Sequence, residues 1–544
     1  AAPPLPQPLR EPTEAQLRDG AWRRSRAARW MEVCGAAVLK RSSRASFRDY
    51  AALEPGGREL YKEAIETIER DVPRTLPGSF RFRLWRDLLG ELRTSGGYEE
   101  ALRDILVALV RRLQTGMRGG QRGYTQGMSN IAAALLVFAG DAEDAFWLLV
   151  ALVERVAPPD FYAEPPGALN GALVEAGVVS FLLEHTGAGR FSADERASVS
   201  QILTVKMGVP FLVDCVPPAL TIAIWDHIFE VDLNTDFIAY AVAAAIARAS
   251  PLGAEGEDKP LVVLATDSLR EANEQDAISC ADVEALARLV PHAAVETARA
   301  RARGELAAEW SQPHRRTELR RFCEFSDEQI AGMQADFLRA SGGAAALGFP
   351  PVRRALGELG AARPLLSAAA EARLVHVIAD RGGSGDVDFR ELCCLLSCLC
   401  LGAPQERLGL AFCAWDADGS GFLEEEELAA MAAALGAAGD PRTPPDASCP
   451  LDGAPAAPPP PAALERLRTL DLNGDGRVSR EEFVSCARSD PELLHELRIG
   501  GPGEGGREAG AARARSAVAA LSDHGRERAG GAPGRAAHGR DGAG

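Results

Sequence analysis

The sequence predicts an all-α chain in successive parts: a flexible N-terminus over residues 1–16, a helical domain over 17–247, and a linker with a connector helix over 248–324. A helix–loop–helix module over 325–499 and a disordered tail over 500–544 complete it. Three observations carry this reading. Apolar residues recur at spacings of three and four through the first half, twelve-residue loops of oxygen-bearing side chains recur in the second, and the last stretch holds too few large apolar residues to build a core.

In the first half, WRRSRAARWMEVCGAAVLK, ALRDILVALVRRLQ, NIAAALLVFAG, DAFWLLVALVERV and FIAYAVAAAIARA all show the helical period, and no alternating strand pattern interrupts them. Breakers and charge at 248–262 mark a boundary, and EALARLVPHAAVETARARARGELAAEW follows as the connector. From about Phe325 short helices alternate with loops rich in Asp, Gly and Ser.

Bulk properties narrow the function. The chain has 544 residues, enough for two to four domains, and 60 basic against 77 acidic side chains give a net charge of -17. That balance disfavours non-specific binding to nucleic acid or anionic membrane, so no nucleic-acid role is expected. The four lysines (Lys40, Lys62, Lys206, Lys259) never follow a glycine, so there is no G-x-x-x-x-G-K-[ST] phosphate loop and the chain is not expected to hydrolyse nucleotide itself. Eleven irregularly spaced cysteines fit a reduced, cytoplasmic protein. The longest apolar run, FIAYAVAAAIA at 237–247, falls short of the roughly 20 residues a membrane span needs. The chain opens AAPPLPQ without methionine, as a processed or truncated N-terminus would.

The charged helical pattern ending at IERDVPRTLPG (68–78) breaks at Pro73 and leaves Arg74 directly behind it. One reading is a solvated helix end with ordinary proline punctuation. The other is an arginine presented on a stiffened, exposed turn, where its permanently charged planar fork can meet phosphate oxygens of a partner. A second clue is GYTQGMSN (123–130), which runs straight into the apolar helix NIAAALLVFAG. Its glycines free the backbone to turn, Ser129 or Asn130 can cap the helix, and Gln126 sits at the helix mouth.

R26-x-x-x-W30, I68-x-x-D71-x-x-R74 and Y124-x-Q126 stand in that order, and together with DVPRTLPG, GYTQGMSN and FLVDCVPPALTIAIWDHIFE (211–230) they resemble the TBC domains of Rab GTPase-activating proteins. The resemblance covers roughly residues 17–247. It implies a GTPase activator that is not itself an enzyme, with a Rab-family small GTPase in its GTP form as partner. GTP and Mg2+ would belong to that partner. Arg74 would neutralise charge developing on the transferring phosphoryl group and Gln126 would orient the attacking water. By the same resemblance Asp71 holds Arg74 through a charge-assisted hydrogen bond and Tyr124 braces the glutamine turn. Ile68, Arg26 and Trp30 are expected to be structural. Vesicle trafficking and peripheral recruitment to endomembranes are the implied setting.

DADGSGFLEEEE (416–427) fits the twelve-residue calcium loop, with Asp416, Asp418, Ser420, Glu424 and Glu427 offering side-chain oxygens and Phe422 a carbonyl. DLNGDGRVSREE (471–482) repeats it with Asp471, Asn473, Asp475, Ser479 and Glu482, and with Arg477 giving the carbonyl. Leu423 and Val478 suit the short strand pairing between two hands. DRGGSGDVDFRE (380–391) is a weaker loop that keeps Asp380, Ser384, Asp388 and Glu391 but has Gly382 where a ligand belongs. Residues 325–359 have the helix–loop–helix outline without ligands, so the series looks like four EF-hands with the first degenerate and Ca2+ as the cofactor. The proline-rich stretch 440–461 is read as a flexible insert. Cys393, Cys394, Cys398 and Cys400 are read as lining a helix of the second hand rather than as a metal cluster, since no histidine stands at ligand spacing. Two alternatives remain: a non-catalytic Rab-binding scaffold, and a calcium sensor that uses the TBC domain for docking.

Overall fold

The computed structural model describes residues 8–53, 57–75, 77–94, 96–113, 124–158, 161–162, 170–185, 191–230, 236–248, 278–358, 385–438, 461–496 and 506–521. Helix dominates them, and the short strands all fall in the second half.

The helix Met128–Ala139 is apolar on every side and is accordingly buried along nearly its whole length at the centre of the first body. Gly20–Val33, Tyr98–Arg112 and Ala142–Ala151 pack around it. Trp30 fills the join between Gly20–Val33 and Pro218–Glu230: its ring stacks on Phe138 at 5.1 Å and meets Trp225 and Phe229 edge-on. The indole Nε1 donates to Asp226 Oδ1 at 2.8 Å. Arg26, one turn earlier, forms ion pairs with Asp226 at 3.5 Å and Glu230 at 3.6 Å. Burial pushes the Asp226 carboxyl up to about 6, with Arg26 opposing. Arg26, Trp30 and the fully buried Ile68 thus have the structural roles expected of them.

Three domain limits differ from the sequence reading. The N-terminal segment is already packed from Leu9, whose N–H donates to Glu284 at 2.6 Å, while Glu11 accepts from the N–H of Cys280 at 3.0 Å. Part of the expected linker, from Ile278 to Val295, belongs to the first core, because Val283, Val290 and Val295 are fully or almost fully buried there. The expected disordered tail contains a helix, Gly506–Ala520, packed into the second core. The 440–460 part of the proline-rich insert lies outside the described residues.

The second body is built from two helix–loop–helix pairs, each closed by a two-stranded antiparallel sheet. β1 (Ala346–Gly348) pairs with β2 (Asp386–Asp388), and β3 (Phe422–Leu423) with β4 (Val478–Ser479). Leu423 stands opposite Val478, as their loop positions required. In the first pair Leu347 stands opposite Val387, which fixes the first loop as residues 340–351. Its would-be ligand positions hold Ala340, Gly342, Ala344, Gly348 and Pro351, none of which offers a side-chain oxygen. Cys393 and Cys398 are buried in the helix Phe389–Leu401, and burial pushes the Cys393 thiol up, so these sulfurs pack as apolar groups.

The two bodies meet at the end of Tyr98–Arg112. Arg111 Nε is 2.6 Å from Glu481 Oε1, both side chains are buried, and the guanidinium also donates to the carbonyls of Asp49, Tyr50 and Ala52. Removing one member of such a pair strands the other charge. Glu481→Leu is therefore expected to lose about 3–5 kcal/mol in urea denaturation, and Arg111→Met combined with it to recover a large part of that loss. A double variant as unstable as the sum of the singles would show that the pair is not coupled.

Candidate functional site

The helix Lys62–Asp71 passes into a 3₁₀ turn, Val72–Arg74, with Pro73 inside it. Proline's fixed φ suits that turn and prevents the helix from continuing. Arg74 is left with its side chain 70% exposed, beside the buried Asp71. The hydrogen bond expected between them is instead a loose ion pair, Nη1 to Oδ1 at 3.8 Å. The reason is that Asp71 faces inward: its Oδ2 accepts from the Tyr124 hydroxyl at 2.7 Å. The turn is tied further by Thr75, whose hydroxyl donates to the Asp71 carbonyl at 2.9 Å and whose own carbonyl accepts from Tyr98 at 2.9 Å.

Gln126 is exposed, between the buried Tyr124–Thr125 pair and the start of Met128–Ala139. The helix is not capped by Ser129 or Asn130. Gly127 takes the cap position at φ 107, where an L side chain would be strained, and Ser129 is buried within the first turn. Tyr124 therefore carries Gln126 on one side and holds Asp71 on the other. Asp71, Arg74 and Tyr124 meet at a single carboxylate, and Gln126 follows Tyr124 by two residues.

A third segment, which opens the stretch FLVDCVPPALTIAIWDHIFE (211–230), packs beside these turns, a role its sequence does not announce. Phe211, Leu212 and Asp214 all have positive φ (48, 65 and 58) although none is glycine. Asp214 accepts from the N–H groups of Arg81 at 2.6 Å and Phe82 at 3.0 Å, just past the arginine turn. Trp225 holds the segment by donating to the Phe211 carbonyl at 2.9 Å. Val209 and Pro210 flank Gly127, where a Cβ would meet them at ordinary contact distances of 3.4 and 3.7 Å. Left-handed backbone at ordinary residues leaves no mark in local composition, so the stretch is legible as a motif while its backbone conformation is not.

The acidic loops have the shape their spacing requires. Gly421 and Gly476, at the sixth position, adopt φ 81 and 83. In the 416 loop the N–H of Ser420 donates to Asp416 Oδ1 at 2.9 Å, that of Gly421 to Oδ2 at 3.0 Å, and Glu427 Oε1 accepts from Ala417 at 2.6 Å. Carboxylate oxygens of Asp416, Asp418 and Glu427 lie within 4.8 Å of one another. Glu424 Oε1 is buried and has no hydrogen-bond partner among the described residues. Three converging carboxylate oxygens suit a hard cation, so the residues fit calcium. The 471 loop is alike: Asp471 accepts from Gly474 at 2.7 Å and Gly476 at 2.9 Å, Asn473 Oδ1 from Asp475 at 2.8 Å, and Glu482 from Leu472 at 3.0 Å and Ser479 at 2.8 Å. In the weaker loop Asp380 and Ser384 lie outside the described residues. Asp388 and Glu391 cap the helix Phe389–Leu401 reciprocally, at 2.9 and 2.8 Å.

The 416 loop is also docked on the first body. The Tyr50 hydroxyl donates to the Ser420 carbonyl and accepts from Arg112 Nη1 at 2.9 Å, and the Phe422 ring joins the first core 5.7 Å from Tyr50. Arg44 pairs with Glu424. Arg477 lies over Phe422 at 4.7 Å and reaches Asp49 at 3.4 Å. Burial opposes ionisation of Asp49, but hydrogen bonds from Ser46 and the charge of Arg477 hold its carboxyl below the usual value.

Residues 24–250 match the family model of the Rab-GTPase-TBC domain, and residues 405–488 that of the EF-hand domain pair. This is a TBC-domain chain with a C-terminal EF-hand pair. It is 27% identical over 216 residues to TBC1 domain family member 2B of Xenopus tropicalis, which covers 40% of this chain and 21% of that protein. To growth hormone-regulated TBC protein 1 of Homo sapiens it is 28% identical over 215 residues, 39% of this chain and 57% of that protein. The chain thus spans about a fifth to just over half of these relatives. A crystal structure of the Chlamydomonas flagellar RabGAP TBC domain aligns with 50% of this chain and 82% of its own at a TM-score of 0.33 and 21% identity. No helix among the described residues is long and apolar enough to cross a membrane.

Tyr124→Phe keeps the ring and deletes the hydroxyl that donates to Asp71. Stranding that buried oxygen is expected to cost about 1–3 kcal/mol in chemical denaturation. Unchanged stability would mean that water or another donor replaces the hydroxyl at no cost.

Proposed function

We propose that the TBC domain accelerates GTP hydrolysis on a Rab-family small GTPase in its GTP form, with Arg74 and Gln126 supplied in trans. The observation that carries this reading is that two exposed polar side chains, far apart in sequence, stand on turns tied together by the buried Asp71–Tyr124 hydrogen bond. Exposed residues that serve only solubility do not need such support. Arg74 would place its fork on the phosphoryl oxygens, where charge develops, and Gln126 would orient the attacking water with its amide. Neither residue needs to change protonation state. The chemistry stays with the GTPase and its nucleotide, so the chain is an activator and not an enzyme.

An arginine supplied in trans is worth about 10³ to 10⁵ in rate. In single-turnover hydrolysis across a Rab panel, Arg74→Lys and Gln126→Ala should each remove most of the stimulation while leaving helicity and melting temperature unchanged. Lysine keeps the charge but loses the bidentate fork. Full stimulation by purified Arg74→Lys would refute the assignment. Binding of the GTP-bound Rab with no stimulation by the parent would favour the scaffold reading.

We further propose that the EF-hand pair binds calcium at the 416 and 471 loops and makes the activator responsive to it. When bound, the ion supplies positive charge that draws the loop carboxylates together. Asp416, Asp418, Ser420, Glu424 and Glu427, with the Phe422 carbonyl, would hold it in the first loop. Asp471, Asn473, Asp475, Ser479 and Glu482, with the Arg477 carbonyl, would hold it in the second. Because Glu424 also pairs with Arg44, a change in that carboxylate reaches the TBC domain directly. Glu427→Gln with Glu482→Gln should abolish most of the heat of calcium binding in calorimetry and leave calcium-free stimulation unaltered. Equal heats from parent and variant would place the metal elsewhere, and identical stimulation with and without calcium would remove the regulatory role.

A further inference from the structure

The helix Gly506–Ala520 lies against three helices of the first pair, Asp327–Ala340, Phe349–Glu358 and Phe389–Leu401. Its buried positions are Gly510, Ala511, Ala514, Ala517 and Val518, with Leu521 just beyond, which is one helical face. The face is made almost wholly of methyl groups, so the helix approaches closely. At Gly510 a Cβ would sit 2.5 Å from the carbonyl oxygen of Cys400 and 2.8 Å from Leu401. Opposite, Gly332 leaves room for the Arg515 guanidinium, whose Cζ a Cβ would meet at 3.1 Å. The fit is therefore mutual, with a glycine on each side at the points of nearest contact.

The pair that receives this helix is the one without a full calcium loop. Its first loop, 340–351, has no ligand side chain, and the second has Gly382 where a ligand belongs. In sensor hands a bound cation opens the helices and exposes an apolar groove for a target helix. Here the groove already contains a helix of the same chain. Small side chains give it little apolar area, so it is held by closeness of fit rather than by large anchors. It is preceded in sequence by GGPGEG, residues 500–505.

We propose that the first helix–loop–helix pair is a metal-independent helix receptor, and that its ligand is the chain's own 506–521 segment, held as an exchangeable internal ligand rather than as a fixed part of the core. This stands apart from the proposed GTPase activation and calcium binding, since it uses none of their residues. To test it, a protease site is placed within residues 501–505 of the full chain, the purified protein is cut, and a fluorescent peptide of residues 504–523 is added in excess of the cut tail. Half or more of the tail should exchange for the labelled peptide by size-exclusion, with circular dichroism unchanged and no calcium required. The same peptide carrying Gly510→Leu should bind at least tenfold more weakly, because its side chain would enter the Cys400 carbonyl. The uncut parent should take up at least tenfold less label. Precipitation or unfolding on cutting, failure to exchange, equal labelling of cut and uncut protein, or exchange equally good with the Gly510→Leu peptide would each overturn the proposal.

Discussion

The carboxylate of Asp71 is the point on which the candidate catalytic surface depends. A buried carboxylate needs partners, and Asp71 finds one in the Tyr124 hydroxyl rather than in its neighbour Arg74. That choice leaves Arg74 free to extend into solvent while its backbone is fixed. The same bond fixes the turn that carries Gln126, so one buried interaction sets the relative placement of two exposed residues. Asp214 anchors the N–H groups of Arg81 and Phe82 beyond the arginine turn, and Val209 and Pro210, just before the strained 211–214 backbone, pack against Gly127. Strain of this kind costs of order 1–3 kcal/mol per residue and persists only where the surroundings impose it. Here they are the Trp225 indole, the N–H groups of Arg81 and Phe82, and the apolar packing around Phe211.

The docking of the two bodies follows from a second buried carboxylate. Glu481 immediately precedes the last ligand of the 471 loop, Glu482, and its partner Arg111 lies near the end of the helix Tyr98–Arg112. One residue on, Arg112 is bound to Glu154 at 2.8 Å and to Tyr50, and Tyr50 touches the 416 loop. Both calcium-type loops therefore bear on the same helix end.

Much of this was legible in the sequence because spacing there has a direct physical meaning. Helical periods gave the helices that form, loop positions gave the Leu423–Val478 pairing, and R-x-x-x-W gave a tryptophan that is central to the core. What was not legible depends on long-range packing. The role of Tyr50 or Arg44 could not be read from its neighbours, because each acquires it only when the second body docks. Asp71 was expected to grip Arg74, and only the fold shows that Tyr124 competes for the same carboxylate and wins. The tail was read as coreless because alanine was counted as weakly apolar. Placed against a groove with glycine at the closest approach, an alanine face packs well, and composition alone does not contain that information.

The arrangement around Glu424 bears on how a calcium signal would reach the TBC domain. Its Oε2 pairs with Arg44 while its Oε1 is buried without a partner, so a cation that draws on this carboxylate competes with Arg44. Arg44 is more than half exposed, so its pairing is screened and worth about 0–1 kcal/mol. Tyr50, Phe422 and the Arg111–Glu481 pair are buried and use no side-chain oxygen that the ion needs. Calcium loading would thus release the Arg44 contact before any of these. The physical expectation is a change confined to the rim of the interface, around residues 44–52 and 477, with the two bodies remaining docked. A signal of that size suits an adjustment of the helix end at 111–112 better than a large separation of the domains.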